Sequence, residues 1–182
     1  MSQLFFALSG FVSGVISYYL VTSYQSLALL FYVPGVVFGV CVGLVVFVSR
    51  RVNILWGIPW ILISTASYYA AVYTTLRAID IGGDGGAAQY VAFLIGGGIG
   101  SFLMLVGFHF FLVRLRAQHF FALVAVGGVL GLSWFIGGPL KGLFGGDDAS
   151  VNLLALLSVW QTIMALGLGF VISRQEQKDM IS

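Results

Sequence analysis

The chain has 182 residues, of which 60% are hydrophobic and only 8% charged, and its formal net charge is +2. Ordinary soluble domains carry about 25% charged residues, so a water-soluble fold of this size could not cover so much apolar surface. The sequence also lacks the clustered basic face that a nucleic-acid partner would require.

The charges instead fall between six long apolar runs, which predicts an all-α integral membrane protein: a single polytopic domain over residues 1–182 with six transmembrane helices. The first run, Leu4–Thr22, follows Met1-Ser2-Gln3. With no basic n-region and no small-residue cleavage pattern, it is expected to remain as the first helix. Gly10 and Gly14 stand one turn apart in it, and Ser17-Tyr18-Tyr19 lies toward its far end.

The second run, Leu27–Ser49, carries the ladder Gly35, Gly39 and Gly43. Small residues at this spacing let helix backbones approach where lipid offers no hydrophobic drive for association. Starting the helix at Pro34 would leave 16 residues, too few to cross comfortably. A bent but continuous helix is therefore expected. Cys41, the single cysteine, excludes an internal disulfide and a cysteine-based metal cluster.

The third run, Ile54–Leu76, opens with Trp56, Pro59 and Trp60, where proline suits a first helical turn and tryptophan suits an interface. It contains Ser67-Tyr68-Tyr69 and is followed by Arg77, Asp80 and the turn-forming run Gly82-Gly83-Asp84-Gly85-Gly86. Two aspartates there do not make a calcium loop.

The fourth run, Val91–Val113, holds Gly96 and Gly100 one turn apart, and His109 four residues before its end. The run Gly96-Gly97-Gly98-Ile99-Gly100 has neither the strand-to-helix setting nor the lysine of a phosphate-binding loop, so helix packing is the expected role of its glycines. His109 is expected to pack, to snorkel or to touch a polar cavity.

The fifth run, Phe120–Gly138, brings Gly127, Gly131 and Ser133-Trp134-Phe135. The Gly/Pro-rich stretch Gly137–Asp148 then reads as an interfacial connector whose Asp147 or Asp148 caps the next helix. In the sixth run, Val151–Ser173, Gln161 sits near mid-span. A bare amide in hydrocarbon is costly, so Gln161 should reach a partner across helices or face a polar pathway. Ser133, Ser158 and His109 are the other candidates for that pathway or for helix contact; Ser17, Ser67 and Ser101 could join a hydroxyl network or satisfy their own helices.

Six crossings alternate the loops between two sides. One side then collects Arg50, Arg51, Arg114, Arg116, Arg174 and Lys178, and the other holds Arg77 and Lys141. This asymmetry makes the arginine side cytoplasmic, with both termini there, as in a bacterial-type inner membrane. All eight tyrosines fall in the opposite half; Tyr18, Tyr19, Tyr68 and Tyr69 are expected as an aromatic belt or as the frame of an outer vestibule. Matching Ser-aromatic-aromatic triplets in the odd runs, and Arg50, Arg114 and Arg174 closing the even ones, fit either of two accounts. One is three parallel helical hairpins, 1–53, 54–119 and 120–182. The other, and the simpler, is the general preference of aromatic residues for interfaces and of arginine for the cytoplasmic boundary in any helix.

No complete catalytic or ATPase motif is present, and neither a metal nor a cofactor is implied. The residues fit best a membrane transport component or channel-like subunit for a small neutral or modestly polar solute. A non-catalytic structural or assembly subunit of a larger membrane complex is the alternative. The expected partners are membrane lipid, a second copy or other membrane subunits, and the solute.

Overall fold

The computed structural model describes residues 3–24, 27–50, 53–83, 85–136 and 148–179. These form six helices, here α1 (Gln3–Tyr24), α2 (Leu27–Arg50), α3 (Gly57–Gly82), α4 (Gly86–Phe111), α5 (Ala117–Gly131) and α6 (Asp148–Asp179). A 3-10 turn, Ile54–Trp56, leads into α3, and another, Leu132–Ile136, extends α5. All six are long and apolar enough to cross a membrane, and the 26 residues of α3 reach about 39 Å, more than a hydrocarbon core.

The outer surface of the bundle carries Phe11, Leu44, Val48, Leu62, Phe110 and Phe121, all at least half exposed. Water would not tolerate such a surface and lipid does, so the chain is an integral, multi-pass membrane protein.

Local chemistry sets the helix boundaries. Asn53 caps the entry to α3 by accepting from the Leu55 N–H at 3.0 Å, and Pro59 falls in the first turn, where its missing donor costs nothing. Helix α3 continues through Arg77 and Asp80, which form an i,i+3 ion pair at 4.0 Å. It stops at Gly83, whose φ of 77° is open to glycine and whose N–H returns to Ile79 O at 2.8 Å. Helix α2 runs through Pro34 without interruption.

Each helix packs on its sequence neighbours. Helix α6 closes the ring by lying along α1 on one side and along α5 and its 3-10 extension on the other. The connector 137–147 and Arg51 lie outside the described residues. The two ends of the bundle are named by their residues: an arginine end, with Arg114 and Arg174, and a tyrosine end, with Tyr18, Tyr69, Tyr73 and Tyr90.

The arginine half holds the hydrophobic core. Val42, Val46, Trp60, Leu105, Phe108 and Leu168 are fully buried in one cluster, with Trp60 set edge-on to Phe108 at 5.5 Å. Leu115, from the link between α4 and α5, closes this core from below.

Candidate functional site: a cavity in the tyrosine half

Glycine sets how closely the helices approach. At nine glycines an added Cβ would run into a neighbouring helix of the same chain. Gly10 and Gly14 bring α1 onto the α6 backbone at Gln161 and Ser158. Gly35, Gly39 and Gly43 bring α2 onto Thr65, Ile61 and Trp60 of α3. Gly96 and Gly100 seat α4 against Ala71 and Thr75, and Gly127 and Gly131 seat α5 against Ser101 and Phe93.

Gly97, from the run whose glycines are expected to pack, meets Gly128, which the sequence reading did not single out, in a glycine-on-glycine seam between α4 and α5. The sequence reading also missed Gly107, Gly167 and Gly169, which receive Ile63, Leu123 and Phe6. Two indoles reinforce these contacts: Trp60 Nε1 donates to Gly39 O at 2.8 Å, and Trp160 Nε1 donates to Gly127 O at 3.1 Å. Without a Cβ, each glycine leaves its carbonyl within reach of the neighbouring helix.

The same close approaches leave a void higher up. A cavity of about 290 Å³ lies in the tyrosine half, walled by α2 to α6 with α1 excluded. Phe38, Ser64, Met104 and Trp160 form its floor near mid-depth, and Leu30, Ile79, Gln89 and Leu153 surround its upper end. The packed arginine-half core lies directly beneath.

The wall from α3 is the polar one: Ser64, Ser67, Tyr68 and Thr75 fall at successive turns, interleaved with Ala71. Ser64 Oγ donates to Gly35 O at 2.8 Å, Ser67 Oγ to Ile63 O at 2.6 Å, and Thr75 Oγ1 to Ala71 O at 2.9 Å. Apart from Gln89 at the upper end, the remaining walls are aromatic, aliphatic or glycine backbone. Trp160 is flanked by Phe38 at 6.0 Å and Tyr68 at 6.2 Å. Phe93 stacks on Trp134 across the α4–α5 side at 5.2 Å.

The expected polar residues do not meet at the cavity: Gln161 and Ser158 share the α1–α6 contact, and Ser133 and His109 lie elsewhere. Gln161 is fully buried but faces α1, where its Oε1 meets the Ser13 hydroxyl. Ser13 has one proton to share between Gln161 and Gly10 O at 2.8 Å. Gln161 Nε2 and Ser158 Oγ find no hydrogen-bond partner among the described residues, so this seam is polar but under-satisfied. Ser101 Oγ, in the α4–α5 contact, is likewise without one.

Ser133 donates to Leu130 O at 2.6 Å, and Ser17 to Ser13 O at 2.6 Å, each within its own helix. His109 Nδ1 accepts from the Leu115 N–H at 2.9 Å and so ties down the turn between α4 and α5. This places the proton of the neutral ring on Nε2. Gln161, Ser133, Ser158 and His109 are all absent from the cavity lining.

Of the four tyrosines read as a belt or vestibule, Tyr68 alone lines the cavity. Tyr69 lies outside, stacked between Tyr32 at 5.7 Å and Tyr73 at 6.1 Å, with Arg77 over Tyr73. Tyr18 and Tyr19 pack on each other on α1. At the arginine end, Arg174 lies over the Phe170 ring at 4.4 Å; Arg116 starts α5, its carbonyl accepting from Phe120 N. Arg114 belongs to the same turn, and Arg50 ends α2. Among the described residues, no group of three or more His, Cys, Asp or Glu side chains is placed to hold a metal ion.

The sequence did carry a signal for the true lining: Ser64, Ser67, Ala71 and Thr75 recur at helical i+3/i+4 spacing on one face of α3. Fold and site together define a class, a six-helix membrane bundle with a partly open cavity among its helices. Comparison with known proteins finds no family model, curated sequence or solved structure that matches the chain.

Proposed function

We propose that the protein is a membrane transport component, with the cavity as the binding site for a small neutral solute bearing at most a few polar groups. The observation that carries this reading is the cavity itself: it descends from the tyrosine half to mid-depth and stops on a packed floor. A site near the bilayer midplane, closed toward one side, is what alternating access requires. The Arg asymmetry orients the tyrosine end outward and the arginine end, with both termini, toward the cytoplasm of a bacterial-type inner membrane.

The solute enters among Leu30, Ile79 and Gln89 and rests against Trp160 and Ser64. Release inward needs the core around Trp60 and Phe108 to part. No carboxylate lies along the route among the described residues, so energy coupling, if any, comes from a partner subunit or from the solute gradient.

The assembly-subunit alternative draws less support, because the glycine faces it would use for docking are occupied within the chain. The test is flux in proteoliposomes across a panel of small neutral solutes. Val72→Phe, which fills the cavity from α3, should abolish uptake, whereas Gln161→Ala, on the α1 side, should retain it. Uptake indifferent to Val72→Phe would overturn the proposal. Absence of flux together with a stoichiometric partner surviving mild solubilisation would favour the assembly role.

A further inference from the structure

We infer that the cavity is built for a two-ring aromatic molecule carrying an N–H or O–H donor. This deepens the transport reading, since it assigns a chemical class to the same site. Three observations carry it.

The first is size. An apolar cavity of about 150 Å³ accommodates one benzene ring. At about 290 Å³ the present one has room for two fused rings.

The second is the direction of the hydrogen bonds. A hydroxyl has one proton and two lone pairs. Ser64, Ser67 and Thr75 each spend the proton on a helix carbonyl, at 2.8, 2.6 and 2.9 Å. The indole N–H of Trp160 is likewise committed to Gly127 O. What these three hydroxyls offer the cavity is lone pairs, which an N–H or O–H of a bound molecule meets, while the Tyr68 phenol and the Gln89 amide, also in the lining, can donate to it. A ligand with acceptors alone would leave the three hydroxyls unmatched.

The third is the shape and electronics of the walls. Phe38 and Tyr68 stand at 59° and 90° to the Trp160 ring, and opposite them Phe93 and Trp134 are stacked at 22°. Between these clusters Gly96, Gly97, Gly100 and Gly131 contribute bare backbone to the lining. A planar π-system can meet edges and faces of these rings in the offset and T-shaped arrangements that aromatic groups favour, with its flat side against the glycine surface.

Calorimetric titration of the full-length protein in lipid nanodiscs, with empty nanodiscs titrated in parallel, tests the inference. Three probes are used: 2-naphthol, naphthalene and decahydro-2-naphthol. The second removes the donor and the third removes the π-system while keeping carbon skeleton and hydroxyl. Saturable 2-naphthol binding is expected, with naphthalene weaker by about tenfold for the lost hydrogen bond and the saturated alcohol weaker by about fivefold for the lost aromatic contacts.

Ser67→Ala removes an acceptor whose own bond is internal to α3, and should narrow the gap between 2-naphthol and naphthalene. Thr75→Val gives the same readout should Ser67→Ala fail to fold. Val72→Phe should abolish binding of all three. Equal affinity for the three probes, no saturable 2-naphthol binding to the wild type, or binding untouched by Val72→Phe would each overturn the inference. Flux of a saturated solute blocked by Val72→Phe, without 2-naphthol binding, would sink it and leave the transport reading standing. Binding as expected with no flux of any solute would do the reverse.

Discussion

Gly35 and Gly39 stand one turn apart on α2 and face the same helix, yet the structure gives alanine very different fates at the two positions. A Cβ at Gly35 would lie 2.6 Å from Thr65 Cα and 2.7 Å from Ser64 O, both backbone atoms that cannot rotate away. Restoring ordinary contact requires α2 to lift from α3 by about 0.8 Å, enough to forfeit a quarter or more of each dispersion well along the seam. It also strains the bond from Ser64 Oγ to Gly35 O, worth about 1 kcal/mol.

At Gly39 the nearest atoms are Ile61 Cα at 3.1 Å and Ser64 Cβ at 3.2 Å, so a shift of a few tenths of an ångström suffices. Both substitutions gain about 1 kcal/mol of helix propensity. Against an overpacking cost of about 1–3 kcal/mol, Gly35→Ala should be destabilised by about 2 kcal/mol net and Gly39→Ala should stay within about 1 kcal/mol of wild type. Reversible unfolding in mixed micelles, followed by tryptophan fluorescence, reads the difference directly. Equal midpoints for the two variants would refute the argument that backbone-to-backbone approach governs this seam.

Gln161→Leu should leave stability within about 1 kcal/mol of wild type in the same assay, because it removes an amide whose Nε2 is unpartnered while Ser13 keeps the Gly10 carbonyl. A loss of several kcal/mol would mean that the amide is satisfied after all. Trp60→Phe keeps a ring against Phe108 but deletes the bond to Gly39 O, and thermal unfolding should register a cost of about 1–3 kcal/mol. His109→Ala frees the Leu115 N–H, and limited proteolysis should cut between α4 and α5 faster than in wild type; unchanged cleavage would show that the turn holds itself. Single cysteines at Gly85 and Arg116, in a Cys41→Ala background, should label from opposite faces of the membrane, and a common face would overturn the six-crossing arrangement.

Much of this fold was legible because charge and length are read along the chain. The spans at Leu27–Ser49 and Leu4–Thr22 differ from α2 and α1 by only a residue or two at each end. Where the reading fell short, polar residues were themselves helical: Arg77 and Asp80 extend α3, and Gln89 and Tyr90 belong to α4. The glycine seams were legible for the same local reason, since i,i+4 spacing marks a face.

Rotation was not legible. A helix that is apolar on every side has no hydrophobic stripe to fix its phase, so nothing told Gln161, facing α1, from Trp160, one position earlier and facing the cavity. A void is harder still to read, because it is a difference between the volumes of five helices and is written in none of them singly.

The closure of α6 onto α1 has a consequence for biogenesis. Ribosomes deliver the chain from its amino end, so α1 reaches the bilayer long before the helix that covers Gly10, Ser13 and Gly14. Until then that polar, notched flank faces acyl chains or borrows a temporary companion, such as an insertase. Truncation ahead of residue 148 should strand the nascent protein at this stage, where quality-control proteases can find it.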